Sequence, residues 1–460
     1  MPDPTAFSLV PPVVVLTLAI WLRLPILSLI SGSIVGLLML DHNTALENFA
    51  TVSLKVMADE TIGWLILVAG GFGALISLLV RAGGATAFGQ LALKYTKGQK
   101  SSLVMTFVLG IIIFIDDYLN ALTVGETMKR VTDKYKVSRE MLAYVVDSTA
   151  APVCVLVPLS TWAVFFGGLL VDNNIAAEGQ GVAVYIQAIP YMLYAWFAVI
   201  MVPLVVLGIV PTFGPMKKAQ LAALQGEQAT SPALSGDTHT SDDYAMNAIE
   251  QEFENADKEG KLHNFFVPIF LLVGFTIYFD IDIWKGLLAT FAITLPYYAI
   301  QGVMNIPEMM TRMIDGFKSM LPAIGTVVAA FMFKDVCDQL LLPQYVIESL
   351  SPYMTAQLLP AVVFLAMAIL SFATGSSWGI FAVTIPIVMP LAQAVDANIP
   401  LVIGALLSAS SFGSQASFYS DSTVLAAQGS GCNLMSHALT QLPYALIAAL
   451  FALIGFLVIA

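Results

Sequence analysis

Two adjacent aspartates, Asp116 and Asp117, lie inside an otherwise apolar stretch and are followed by Tyr118, Leu119 and Asn120. A carboxylate near a bilayer centre costs roughly 2.5–3.5 kcal/mol even on a lenient insertion scale, so acids at that depth need a reason. Two full charges side by side are harder still to sustain, and a cation between them or a proton on one relieves the repulsion. Na⁺ is a hard ion that takes oxygen ligands. The candidate oxygens are those of Asp117, Asn120, Ser148 and Thr149, with carbonyls freed at helix breaks. If Na⁺ and H⁺ compete for one carboxylate, exchange coupling follows directly. The bland alternative is that both aspartates cap a helix or face water.

Two Asp-Ser-Thr triplets add to this set: Asp147-Ser148-Thr149 and Asp421-Ser422-Thr423. Each aspartate is a candidate for cation or proton binding. Capping at a helix break, where aspartate accepts from free backbone N–H groups, is the plain reading beside it. A further polar set, Thr374, Gly375, Ser376 and Ser377, with Ser411, Gly413 and Ser414, could line a substrate path or simply join helices. Other features read as structural. Glu126 precedes Lys129 and Arg130 by three and four residues, the spacing of a surface ion pair, and Lys334 with Asp338 has the same look. Gly70, Gly71 and Gly73 read as close helix packing, and His437 as interfacial.

The elements that must position these groups are set by composition. The chain has 460 residues, is 58% hydrophobic and only 11% charged, far below the quarter usual in soluble domains. Mean hydropathy is +0.84. Continuous apolar runs recur along it, including residues 8–22, 24–40, 61–80, 183–210, 264–279, 319–333 and 437–460. Their continuity excludes a β-barrel. The net charge of -12 comes without any basic tract, which excludes nucleic acid as a partner. Cys154, Cys337 and Cys432 have no pairing or zinc-ligand spacing, and no cofactor is implied. The first apolar run lacks a basic leader and a cleavage site, so it reads as a retained helix.

Residues 212–263 are polar and carry nine acidic groups against four lysines. They read as a cytoplasmic linker between a first membrane repeat, 1–211, and a second, 264–460. Basic residues set the topology. Arg81, Lys94, Lys97 and Lys100 form one cluster, and Lys129, Arg130, Lys134, Lys136 and Arg139 another; the positive-inside rule wants both in the cytoplasm. Residues 101–128 between them are too few for two ordinary spans, which predicts a re-entrant hairpin with Asp116–Asn120 at its turn. Carried through, this gives about ten transmembrane helices and two re-entrant hairpins, the second over 359–395. Only Lys55, Lys285 and Lys334 fall on the outer side.

The expected fold is therefore all-α and polytopic, built from two inverted-topology repeats with broken helices. The interrupted spans are expected at Asp147–Pro152, continuing to Thr161, and at Ser408–Ser414, continuing to Thr423. A 262-residue slide lays one on the other. Proline, glycine and serine runs of this kind free backbone groups for binding.

Phe114–Asn120, Asp147–Pro152 and Tyr419–Thr423 together resemble the NhaC-type Na⁺/H⁺ antiporters of the ion transporter superfamily. The likeness covers nearly the whole chain apart from 212–263. It implies a scaffold and a moving transport domain, elevator-like alternating access and a homodimer in the bacterial inner membrane. Members that resemble malate/lactate or amino-acid antiporters leave a second reading open, Na⁺- or H⁺-coupled movement of a small organic acid or amino acid. No Arg or Lys lies at either hairpin turn to hold a substrate carboxylate, which favours cations alone. An intramembrane aspartyl protease would need a Gly-x-Gly-Asp span that is absent, so the chain does not read as an enzyme. The repeat argues against a channel.

Overall fold

The computed structural model describes residues 5–22, 24–114, 116–225, 261–280, 282–350, 355–375 and 377–460. Among these residues the regular elements are helices and no strand occurs. The first half contains α1 (Val10–Leu22), α2 (Pro25–Leu40), α3 (Ala45–Met57), α4 (Glu60–Arg81), α5 (Gly84–Tyr95), α6 (Gln99–Ile112), α7 (Asp117–Lys134), α8 (Arg139–Thr149), α9 (Ala151–Leu156), α10 (Thr161–Asp172), α11 (Gly181–Ala188), α12 (Leu193–Leu207) and α13 (Gly214–Gln225). The second contains α14 (His263–Tyr278), α15 (Ile283–Ile300), α16 (Ile306–Ser319), α17 (Leu321–Gln339), α18 (Leu342–Leu350), α19 (Leu359–Thr374), α20 (Ser377–Ala394), α21 (Ile399–Ala416), α22 (Asp421–Ser430) and α23 (Leu434–Ile459).

Among the described residues, four helices are long and apolar enough to cross a membrane alone. Two bent pairs, α8–α9 with α10 and α11 with α12, turn by 43° and 55° and raise that to as many as six. Shorter apolar helices such as α6, α14 and α19 accompany them. Burial sorts the long ones: α21 is 89% buried and runs through the protein, whereas the apolar window of α23 is 28% buried and turns Leu446, Leu450 and Leu457 outward. An outward apolar face on so long a helix is what lipid contact requires.

α6 and α7 form the expected hairpin. Gln99 at the start of α6 donates to the Lys136 carbonyl just past the end of α7 (3.1 Å). At the other end, Asn120 in the first turn of α7 donates to the carbonyls of Gly110 (2.6 Å) and Ile113 (2.8 Å). The chain therefore leaves and returns on one side. α19 and α20 form a second helix pair, closed by Gly375 at φ +67° against the Tyr419 ring, where a Cβ would lie 2.4 Å from Cδ2. Ser376 lies outside the described residues, and Ser377 is described only as the first residue of α20.

Element boundaries recur along the chain. α7 begins at Asp117 and α20 at Ser377, α8 at Arg139 and α21 at Ile399, α10 at Thr161 and α22 at Asp421, each pair 260 residues apart. The caps recur with them. Ser160 donates to the Cys154 carbonyl and accepts from the Ala163 N–H; Ser420 donates to the Ser414 carbonyl and accepts from the Thr423 N–H. The slide that aligns the breaks is thus 260 residues, not 262. It places Thr161, not Leu159, opposite Asp421.

Two further expectations change. Ser408–Ser414 does not interrupt its span: α21 is continuous to Ala416, and the break falls at residues 417–420. Without proline, small serines let a helix pack closely rather than end, and at Gly413 an added Cβ would lie 2.2 Å from Ser371 Cβ of α19. Residues 214–225 of the presumed linker form α13, with Met216 and Ala223 buried. Residues 226–260 lie outside the described set.

Gly73 meets Gly316 at backbone contact, so close packing holds. Lys334 bonds Asp338 at 2.7 Å. Lys55 pairs with Asp335, and Lys285 with Asp282 at 2.9 Å. The three lysines expected on the outer side are thus each paired with an acid. Glu126 does pair with Lys129 (3.2 Å), but the two side chains are 12% and 8% exposed, not surface groups.

Candidate functional site

Three helix beginnings meet inside the protein: α7 from the first hairpin, α10 from the first break and α22 from the second. Asp116 is the N-cap of α7. Its Oδ1 accepts from the N–H groups of Tyr118 and Leu119, both 3.0 Å, and its Oδ2 from the Thr161 hydroxyl at the start of α10, 3.1 Å. Both oxygens are thus engaged, which is the capping arrangement. Tyr118 reaches the other way, donating to Asp421 Oδ2 at the start of α22 at 2.6 Å. Asp421 Oδ1 takes the Ser422 N–H.

Asp117 is different. It is fully buried, and neither carboxylate oxygen closes a regular hydrogen bond. The Trp162 indole N–H is the donor beside it, and the charges of Asp116 and Asp421 are its neighbours. Asn120 lies one turn on, on the same face of α7. Its amide nitrogen serves three main-chain oxygens: those of Gly110 and Ile113, and that of Thr149 at the end of α8 (2.9 Å). That arrangement fixes the amide orientation, since its oxygen would repel the same three carbonyls. Asn120 Oδ1 is left buried without a partner. A carboxylate that closes no regular hydrogen bond and an unpartnered amide oxygen therefore share one face of α7.

Ser148 and Thr149 do not offer hydroxyls to this face. Thr149 Oγ1 donates back to Val145 (2.8 Å) and Val146 (3.1 Å), and Ser148 Oγ accepts from Gln415 (2.6 Å). What the α8–α9 break supplies is the Thr149 carbonyl, held by Asn120. No group of three or more His, Cys, Asp or Glu side chains among the described residues is arranged to hold a metal ion. The donor set is a single carboxylate with neutral oxygens, which suits a monovalent hard cation better than a transition metal.

Asp147 belongs to a second cluster. Its Oδ2 accepts from Thr423 (3.1 Å) and Gln441 (2.6 Å) and lies 3.2 Å from His437 Nε2. Gln441 also donates to the Gln415 carbonyl, and Tyr194 donates to Gln415 Oε1 at 2.6 Å. His437 is 0% exposed, so the interfacial reading is corrected. The sequence did carry a signal for it: His437 and Gln441 are polar at i and i+4 of an apolar 26-residue helix, hence on one face.

Around the second break, Ser414 and Ser422 hydroxyls touch at 2.6 Å, and Thr423 also donates to the Ser414 carbonyl (2.9 Å). Tyr419 and Ser417 donate to the carbonyls of Ala373 (2.7 Å) and Phe372 (3.0 Å), fastening this break to the end of α19. Thr374 turns its hydroxyl to the Leu370 carbonyl of its own helix (2.8 Å). Ser411 Oγ is buried without a partner. The structure thus brings Asp116, Asp117, Asn120 and Asp421 together, sets Asp147, Ser148 and Thr423 in an adjoining cluster, and leaves Thr374 and Gly375 apart at the second helix pair.

Residues 153–460 match the Na⁺/H⁺ antiporter family. An uncharacterized protein of Haemophilus influenzae is 29% identical over 499 aligned residues, covering 99% of this chain and 91% of that protein. A malate-2H(+)/Na(+)-lactate antiporter of Bacillus subtilis is 26% identical over 198 residues, 41% of each chain. The family match takes in the second break, His437 and Gln441, and begins after the first hairpin. With more than half its length in that match, the chain belongs to the Na⁺/H⁺ antiporter family.

Proposed function

We propose that the chain exchanges Na⁺ for H⁺ across the bacterial inner membrane by alternating access, with Asp117 and Asn120 holding the cation. The observation that carries this reading is the pair of unpartnered acceptors. A buried carboxylate that closes no regular hydrogen bond is costly to keep charged without a counter-ion. It must hold a proton or a cation, and Asn120 Oδ1 stands ready beside it. Proton and Na⁺ then exclude one another at Asp117, which is the coupling. Asp116 acts as the cap that sets the start of α7, and Asp421 holds Tyr118 at its flank.

In this reading the recurring boundaries are two inverted repeats. The hairpins and the breaks move together as a transport unit against the remaining helices, in an elevator-like motion. The match to the Bacillus antiporter supports a second reading in which a small organic acid is carried with these ions.

Na⁺-driven pH change in proteoliposomes without organic solute, wild type beside Asp117→Asn, tests the choice. The exchanger gives a proton signal that the variant loses. Competition also fixes a sign: as pH falls, protons occupy Asp117 and the half-saturating Na⁺ concentration rises, about tenfold per pH unit once the proton dominates. A wild type that moves no protons until a carboxylic acid is added is a solute carrier instead.

A further inference from the structure

The second buried cluster takes no part in holding Na⁺ in the reading above, yet it is built around an acid and a base. His437 lies in the first turn of α23, whose N-cap Asn433 accepts from the Ser436 N–H. Its Nε2 and Asp147 Oδ2 are 3.2 Å apart, and both side chains are fully buried. The same oxygen accepts from Thr423 and Gln441, so three donors converge on one atom. That crowding is what an ionised carboxylate takes. A carboxylate only accepts, so the imidazole hydrogen must sit on Nε2. The lone pair of a neutral His437 is then on Nδ1, which is buried and without a partner, as are Asp147 Oδ1 and Gln441 Oε1.

The state of Nδ1 decides the charge of the cluster. Without a proton there, Asp147 is a buried net negative charge. With one, an imidazolium faces a carboxylate and the net charge is zero. Few other charges compensate. On the elements packed against α23, the titratable side chains are Arg139, Glu140, Tyr144 and Asp147 of α8, Tyr194 of α12, Lys217 and Lys218 of α13 and Asp421 of α22. Arg139 is 3.4 Å from Asp133, Glu140 accepts from Ser436, Tyr194 bonds Gln415, and Asp421 is taken by Tyr118. Of these side chains, only Asp147 is hydrogen-bonded to the His437 ring.

We propose that His437 carries a second transported proton, on Nδ1, at a site separate from Asp117 and Asn120, with Asp147 as its fixed counter-ion. The proton comes from water on one side as the N–H bond forms and returns to water on the other as it breaks. The first turn of α22 links the two sites: Asp421 receives Tyr118, the neighbour of Asp117, while Thr423 of the same turn donates to Asp147. A change in charge at either site is felt by one short helix at a break.

This inference rests on Na⁺/H⁺ exchange as read above, and it changes what that exchange does to membrane voltage. One Na⁺ against one proton at Asp117 moves no net charge; a further proton at His437 makes the cycle electrogenic. In proteoliposomes, Na⁺ flux of the wild type should respond to an imposed potential. In His437→Gln the H⁺:Na⁺ ratio should fall by one and the voltage response should vanish, with the half-saturating Na⁺ little changed. A variant that keeps the wild-type ratio and voltage response overturns the proposal.

A measurement on the intact protein covers a variant that does not fold. With ¹⁵N-labelled histidine and the His437 signal assigned from His437→Gln, His437 should show a hydrogen on Nε2 throughout and an Nδ1 that gains and loses its proton over the pH range in which transport is measured. An Nδ1 that never changes across that range refutes the second site. Absence of Na⁺–H⁺ exchange in the wild type without organic solute would instead sink the exchange reading, and the Nδ1 titration is read independently of it.

Discussion

The two hairpin-and-break units use one backbone device with different side chains. In the first, the hairpin tip carries the charge: Asp116, Asp117 and Asn120 occupy the start of α7. At the matching positions of the second stand Ser376, Ser377 and Ile380. At the breaks the balance reverses, because Thr161 opens α10 where Asp421 opens α22. Asp147 likewise has Leu407 as its counterpart. The caps and breaks are shared, whereas the ionisable groups occur once each. The recurring caps and breaks thus build the frame, and departures from them supply the face proposed to bind. The acids of one half and the break of the other meet through Tyr118 and Asp421, so in the proposed reading neither unit carries the chemistry alone.

Asn120 is the sharpest of these departures, and removing it should have the largest effect. Asn120→Ala leaves the carbonyls of Gly110, Ile113 and Thr149 without their shared donor in a buried place, and each orphaned group costs about 1–3 kcal/mol. A marked fall in thermal midpoint in detergent, together with loss of saturable Na⁺ binding, is expected. A variant with wild-type midpoint would show that the hairpin does not depend on this amide. The second unit has Ile380 at the matching place in the sequence, so Ile380→Ala should spare Na⁺ binding.

Next in size come the contacts where each hairpin meets its broken helix. In the first unit the glycine is on the hairpin: a Cβ on Gly110 would lie 2.1 Å from Thr149 Oγ1 and 2.6 Å from its Cβ. In the second it is on the broken helix: a Cβ on Gly413 would lie 1.7 Å from Ser371 Oγ and 2.2 Å from its Cβ. Alanine at either site forces the helices apart, at about 1–3 kcal/mol. The shorter contact puts Gly413→Ala above Gly110→Ala in lost thermal stability. The reverse order would mean that the first hairpin is the more tightly held.

Much of this frame was legible in the residues because punctuation is local. Pro152, Ser160, Ser420 and Gly375 mark breaks and turns by their own conformational preferences, and apolar runs mark membrane helices by length. The all-α class and the first hairpin followed. The Ser408–Ser414 run misled because serine breaks a helix only when the free backbone groups find partners; here small side chains serve packing against α19 instead. His437 was missed for a related reason. A single histidine near a helix start has no local partner, and what buries it is Asp147, 290 residues away. Asp116 and Asp117 looked alike in sequence. Only the fold assigns one to the cap and leaves the other without a regular hydrogen bond.

The smallest effect should come from the link between the two units. Tyr118→Phe keeps the ring and its packing and removes only the 2.6 Å bond to Asp421 Oδ2. Asp421 retains the Ser422 N–H on its other oxygen, so the fold should hold. A lost hydrogen bond of this kind contributes about 1 kcal/mol, which corresponds to a roughly fivefold change in half-saturating Na⁺. The informative comparison is with Asp421→Asn, which keeps an acceptor for Tyr118 but removes the charge beside Asp117. If the phenylalanine and asparagine variants shift Na⁺ dependence alike, the link acts by holding α22 against α7. If only Asp421→Asn shifts it, the charge of Asp421 is felt at Asp117 directly, and the hydroxyl merely fills the space between two helix starts.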